Sequence, residues 1–286
     1  RLTNAYEYAQ AAKEQTVKFW DFGFFQLKAI GYQAQVIPAI LAGLALSYLE
    51  IFWRKVVPEV LSMILVPFLA LVPAVILAHT VLGPIGWTIG DWISQVVRAG
   101  LTGTFSWLFG AIFGAFYAPL VITGLHHMTN AIDSELIARF NGTGLWPMIA
   151  LSNIAQGSAV LAVWWLTRKD EEQNQITVPS TISCYLGVTE PALFGVNLKY
   201  LYPFFAGMIG SSIAGLIATT YKVTSNAIGV GGLPGFIAIQ PGSMAMFFVC
   251  MVVALVVPFV LTLLFNRQFK FLENKAIDFD IPFFNK

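Results

Sequence analysis

"MAMFFVCMVVALVVPFVLTLLF", residues 244–265, carries no charged side chain. A helix needs about 20 predominantly apolar residues to cross the hydrocarbon core of a bilayer, so this segment reads as a membrane span and names the solvent in which the chain folds. Working back toward the N-terminus, Tyr202–Tyr221 reads as another span, rich in Gly, Ser and Ala. Leu145–Leu166 is interrupted by Ser152, Asn153 and Gln156, so one side of it should face protein or water. Phe105–Ile122 carries Gly110 and Gly114 at the spacing that lets two membrane helices approach closely. Ser62–Val81 is long enough to span, and a membrane helix tolerates its Pro67 and Pro73. Val36–Tyr48 is shorter and runs into the amphipathic "LEIFWRKVVPEVL", where Glu50, Arg54 and Lys55 suggest the bilayer interface. The expected fold class is an all-α polytopic membrane protein.

Composition agrees. Of the 286 residues 57% are hydrophobic and 11% charged, against about 25% charged in soluble domains. A net charge of +1 offers no basic face for nucleic acid. Cys184 and Cys250 form no CxxC or zinc spacing and read as small buried hydrophobes. With no HExxH, and with "GVGGLPG" not followed by Gly-Lys-Ser/Thr, no metal, cofactor or ATPase site is expected. "TRKDEEQNQ" (167–175) reads as a solvated loop. The tail 266–286 carries Arg267, Lys270 and Lys275, which places it in the cytoplasm by the positive-inside rule. Trp20, Trp87 and Trp92 read as interface anchors.

Two stretches are neither spans nor loops. Residues 176–200 are apolar but broken by Pro179, Gly187, Pro191 and Gly195, and residues 226–242 are crowded with glycine. Non-helical backbone survives at membrane depth only where protein or a wet cavity covers it. These stretches therefore read as re-entrant hairpins or discontinuous helices, the usual builders of transporter sites, with extracellular loops as the plainer alternative.

The candidate chemistry clusters there and at "GLHHMTNAID" (124–133), which holds two of the three histidines. Glu190, with Thr189 beside it, is a carboxylate inside a hydrophobic hairpin, a placement that is expensive unless it serves a function; a structural ion pair with Lys199 is the alternative. His126 and His127 are neighbours, so on a regular helix of 3.6 residues per turn they point about 100° apart and cannot both face one small ligand. Asn130 shares a helical face with them. With Gln33 and Gln35 in "GYQAQVIP", and Asn197, these residues supply the amides, imidazoles and carboxylates that bind sugar hydroxyls.

"GYQAQVIPAILAG", "GPIG", "GLHHMTNAID", "ALSNIAQGSAV", "GVTEPALFGVNLKY" and "IGVGGLPG" resemble the membrane-embedded C component (EIIC) of the bacterial phosphoenolpyruvate-dependent sugar phosphotransferase system. The resemblance is to its glucose superfamily, most closely to trehalose-specific members, and runs from about Trp20 to about Phe265. It implies a homodimer in the bacterial inner membrane, an elevator-type transport part with re-entrant hairpins, and a phosphorylated EIIB domain as partner. It implies phosphorylation of a disaccharide at its 6-hydroxyl, with Glu190 and His126 or His127 near that hydroxyl. On this reading residues 1–60 end a scaffold part, 61–265 form the transport part and 266–286 the tail.

The B domain's reactive-cysteine motif is not found in the sequence. Arg1 in place of Met, and residues 1–35 without a signal-peptide core, lead us to expect a fragment of a longer polypeptide, and the resemblance implies first membrane helices ahead of residue 1. Trehalose is the expected sugar, with maltose, sucrose and glucose as alternatives. Proton-coupled sugar transport, with Glu190 and His126 as a proton relay, and sugar sensing without transport are the readings from other classes.

Overall fold

The computed structural model describes residues 19–21, 26–28 and 36–268. A short antiparallel ladder pairs β1 (Phe19–Asp21) with β2 (Gln26–Lys28); the other named elements among the described residues are helical. Helix α1 is Val36–Val56 and α2 Glu59–Leu77. A π-helical turn, Ala78–Leu82, carries α2 directly into α3, Gly83–Thr102. Then come α4 (Ser106–Ile122), α5 (His126–Phe140), α6 (Leu145–Thr167), α7 (Glu171–Tyr185), the short α8 (Glu190–Ala192) and α9 (Leu198–Tyr200), α10 (Tyr202–Thr220) and α11 (Met244–Gln268). Among the described residues five helical stretches are long and apolar enough to cross a membrane.

The span expected over Ser62–Val81 is part of a longer run: Glu59–Thr102 is one helical stretch of 44 residues. "GPIG" does not end it. Pro84 lacks an N–H, but the hydrogen bonding has already slipped at the π turn, where the Gly83 N–H donates to the Ala78 carbonyl.

The chain forms two compact units, one of residues 1–98 and 128–142, the other of 99–127 and 143–286. In the first, α2 buries only the stripe Val66, Ala70, Ala74, at intervals of one helical turn. Val60 (93% exposed) and Met63 (88%) lie on its open faces, which in a bilayer meet lipid rather than water. Salt-bridged Glu50 and Arg54 (2.7 Å) lie in the last turns of α1.

In the second unit α6 is the central helix. It is buried from Leu145 to Val160 without interruption, and its polar residues are buried too, so Ser152, Asn153 and Gln156 all face protein. Helix α4 packs on α10 through small residues. A Cβ on Gly110 would run into the Thr219 side chain and the Gly215 carbonyl, and one on Gly114 into the Ser211 carbonyl. The Gly110/Gly114 spacing is thus a real packing seam. Gly110→Ala should lower the thermal midpoint in detergent, since overpacking costs about 1–3 kcal/mol. Gly43→Ala, where an added methyl meets nothing within 4 Å, should not lower it.

Residues 176–200 form a helix–turn–helix. Helix α7 ends at Tyr185, Gly187 takes φ +97°, and α8, a π turn (Leu193–Asn197) and α9 return along it. Residues 226–243 hold two 3₁₀ turns, Leu233–Ala238 and Pro241–Ser243, in otherwise irregular backbone. Ser225 anchors them by bridging to both Thr143 and Ile239.

Candidate functional site

Helix α4 stops at Ile122, and Gly124 at φ +75° turns the chain into α5. Few residues other than glycine adopt that conformation cheaply. His126 and His127 open α5 directly after this turn, and their rings lie 4.0 Å apart between centroids, tilted at 37°. Divergence of the two imidazoles, expected from regular helix, is therefore not observed. His126 packs edge-on against Tyr117 of α4, centroids 6.5 Å apart. Burial, and then the neighbouring His127, hold the His126 imidazole below its ordinary pKa, while Glu190 and the Leu120 and Val121 backbone pull it back up.

The Nε2 of His126 is 3.7 Å from Oε1 of Glu190; the imidazole side chain is 13% exposed and the carboxyl side chain 46%. The alternative pairing of Glu190 with Lys199 is not formed: the Lys199 ammonium lies 5.4 Å over the Tyr200 ring. An enclosed imidazole beside an open carboxyl group can accept and donate hydrogen bonds to a hydroxyl placed between them or against the exposed carboxyl.

The other predicted site residues are placed as follows. Thr189 is buried and its hydroxyl donates to Asn153 Oδ1 at 2.8 Å. Asn197 is fully buried, its amide donating to Gln156 Oε1 at 2.7 Å and to the Gln156 carbonyl at 3.3 Å. Asn130 is half-buried, one turn further along α5, where its carbonyl accepts from Ser134. Gln33 and Gln35 lie outside the described residues. Among the described residues no cluster of His, Cys, Asp and Glu is set to hold a metal ion. Cys184 is buried, its thiol donates to the Asn153 carbonyl, and burial pushes its pKa far up, so it is no thiolate nucleophile. Cys250 is buried as well.

Asn153, which reads in the sequence only as a polar interruption, pairs with Thr189 next to Glu190. Its signal was the polar run Ser152, Asn153, Gln156 inside an apolar helix that is buried from Leu145 to Val160.

The model of the family described as phosphotransferase system, EIIC matches residues 1–211. The chain belongs to the phosphotransferase-system EIIC family. This EIIC chain is 48% identical over 271 residues to the trehalose-specific EIIBC component of Escherichia coli K12, covering 94% of the chain and 56% of that protein. It is 40% identical over 270 residues to the trehalose-specific EIIBC component of Bacillus subtilis 168, covering 93% and 56%. It is also 41% identical over 273 residues to the sucrose-specific EIIBC component of Pasteurella multocida Pm70, again covering 93% and 56%. The EIIC chain thus spans little more than half the length of the curated relatives it matches. Its long apolar helices make it a polytopic inner-membrane protein.

Proposed function

We propose that this EIIC chain conducts a disaccharide, trehalose in the first instance, across the bacterial inner membrane and presents its 6-hydroxyl for phosphorylation. The observation that carries the reading is the His126–Glu190 pair, 3.7 Å apart with the carboxyl open to a ligand. The trehalose-specific relatives favour that sugar, and the sucrose-specific ones make sucrose the alternative.

In the reaction the sugar O6 attacks the phosphorus of a phosphocysteine on an EIIB partner. The O–P bond forms as the S–P bond breaks, the thiolate leaves on EIIB, and the hydroxyl proton passes to Glu190. A hydroxyl is a weak nucleophile, and a positioned base typically contributes about 10²–10⁴-fold. His126, with the His127 ring tilted against it, orients the hydroxyl and the carboxylate. Asn130 is the further candidate for sugar contact. Thr189 and Asn197 are not assigned to the sugar, because both are buried in pairs with α6. Buried Cys184 and Cys250 are consistent with a donor cysteine on another domain.

The same reading makes residues 176–200 and 226–242 re-entrant elements of an elevator-type transport part (61–265), follows a scaffold end (1–60) with homodimerisation, and puts 266–286 in the cytoplasm; residues beyond 268 lie outside those described.

Membrane vesicles bearing the intact protein and a phosphorylated EIIB donor test this. Labelled trehalose should accumulate as trehalose 6-phosphate, only when the donor is supplied, and an uncoupler should leave the rate unchanged. Accumulation of unmodified sugar driven by a proton gradient would overturn the reading in favour of proton-coupled transport. Accumulation of phosphorylated sucrose in preference to trehalose would correct the sugar alone.

A further inference from the structure

Glu190 begins a very short helix, and Val188 and Thr189 before it belong to no regular element. The position of its carboxyl is therefore set by whatever holds the chain between Gly187 and Glu190. One side chain holds it at two points. The Asn153 amide Nδ2 donates to the Gly187 carbonyl at 3.2 Å, and its Oδ1 accepts from the Thr189 hydroxyl at 2.8 Å. An amide offers a donor end and an acceptor end, and both ends of Asn153 grip the hairpin tip. Asn153 and Thr189 are each buried, 4% exposed, and Asn153 sits on the most enclosed helix of its unit.

The second broken stretch closes the same point from the other side. A Cβ on Gly187 would lie 2.7 Å from the Gly231 nitrogen, and a Cβ on Gly231 would collide with the Asn153 amide. Two glycine turns are thus interlocked, backbone to backbone, over Asn153. The Ser183 hydroxyl adds a hydrogen bond to the Val188 carbonyl at 3.2 Å.

We infer that Asn153 and Thr189 are positioning residues: with the Gly187–Gly231 contact, they fix the Glu190 carboxyl against His126 without touching the sugar. The inference rests on the role given to Glu190 above. A hydroxyl that served only packing could be replaced by a methyl of the same shape with no effect on rate. A hydroxyl that aims a reacting group could not, because a displacement of about 1 Å costs on the order of 100-fold.

The test measures kcat and KM for trehalose phosphorylation, and the thermal midpoint, in the intact protein supplied with phosphorylated EIIB. Thr189→Val keeps the shape and deletes the hydrogen bond; kcat should fall about 10–100-fold with KM little changed. Thr189→Ser restores the hydroxyl and should recover most of the rate. Should Thr189→Val fail to fold, the paired variant Asn153→Leu with Thr189→Val removes both partners of the 2.8 Å bond, so that of these groups only the Gly187 carbonyl loses its donor, and should fold yet stay slow. Wild-type kcat in either folded valine variant overturns the inference. So does a Thr189→Ser protein as slow as Thr189→Val, or a loss confined to KM, which would make Thr189 a binding contact. Glu190→Gln at full rate would sink the functional reading itself, whereas a slow Glu190→Gln beside a fast Thr189→Val sinks only the positioning role.

Discussion

Glu190→Gln should lower the rate of sugar phosphorylation by about 10²–10⁴-fold, the usual contribution of a positioned general base, while leaving most of the sugar affinity in place. Glutamine is nearly isosteric with glutamate and its carbonyl end still accepts a hydrogen bond from a hydroxyl. It cannot take a proton as the oxygen attacks phosphorus. The two properties therefore separate: calorimetric titration with trehalose should show binding within a few-fold of wild type, whereas turnover with phosphorylated EIIB collapses. Glu190→Asp draws the carboxyl back by one methylene, away from a His126 that is already 3.7 Å distant, and should fall between the two. Collapse of binding together with turnover would make Glu190 chiefly a sugar ligand. An unchanged turnover rate would remove it from the reaction altogether.

How far the sequence could be read depended on which forces decided each element. The spans at 145–166, 202–221 and 244–265 were legible because length and apolar content alone select a membrane helix, and the observed α6, α10 and α11 match them closely. The stretch Gly83–Thr102 was not read as a helix. Its glycines, Pro84, Asp91, Gln95 and Arg98 all argue against one locally, and what offsets them is tertiary. Asp91 accepts from Arg139 at 2.9 Å, and the Arg98 guanidinium lies 3.9 Å over the Phe140 ring. No periodicity announces such partners.

At the site, Glu190 and His126 were legible as residue types out of place in apolar sequence. Their 3.7 Å approach was not, because it joins the end of one loop to the turn of a distant hairpin. The 4.0 Å approach of the two imidazoles was not legible either, because ring separation depends on the side-chain rotamers as well as on helical spacing. Asn153 was seen as a polar interruption, but its partners at Gly187 and Thr189, 34 and 36 residues on, exist only in the folded hairpin.

The largest structural effect is expected at Arg139, in the unit formed by residues 1–98 and 128–142. Its guanidinium is 1% exposed, yet every edge of it is engaged: Nε donates to Glu135 Oε2 at 2.9 Å, Nη1 to Asp91 Oδ1 at 2.9 Å and Nη2 to the Trp87 carbonyl at 2.8 Å. Its face lies 3.8 Å over the Trp87 ring. Gly90 lets α3 come close, since a Cβ there would meet the Glu135 carboxyl at 3.0 Å. Arg139→Met removes the cation and leaves Glu135 buried with no counter-charge, and breaking one side of such a buried pair costs about 3–5 kcal/mol. The thermal midpoint in detergent should drop sharply, and adding Glu135→Leu should recover much of it, because replacing both partners by apolar groups is far better tolerated. The effect should also depend on pH. Burial pushes the Glu135 carboxyl above its ordinary value, while hydrogen bonding and charge from Arg139 pull it back. Without Arg139 the carboxyl rises further, so the folded variant binds a proton that the unfolded chain releases. Its stability is then greatest below the ordinary carboxylate range and falls as pH rises toward the raised value. Melts at pH 5 and pH 8 should show a smaller gap between variant and wild type at the lower pH; an equal gap at both would mean that Glu135 does not feel the loss of Arg139.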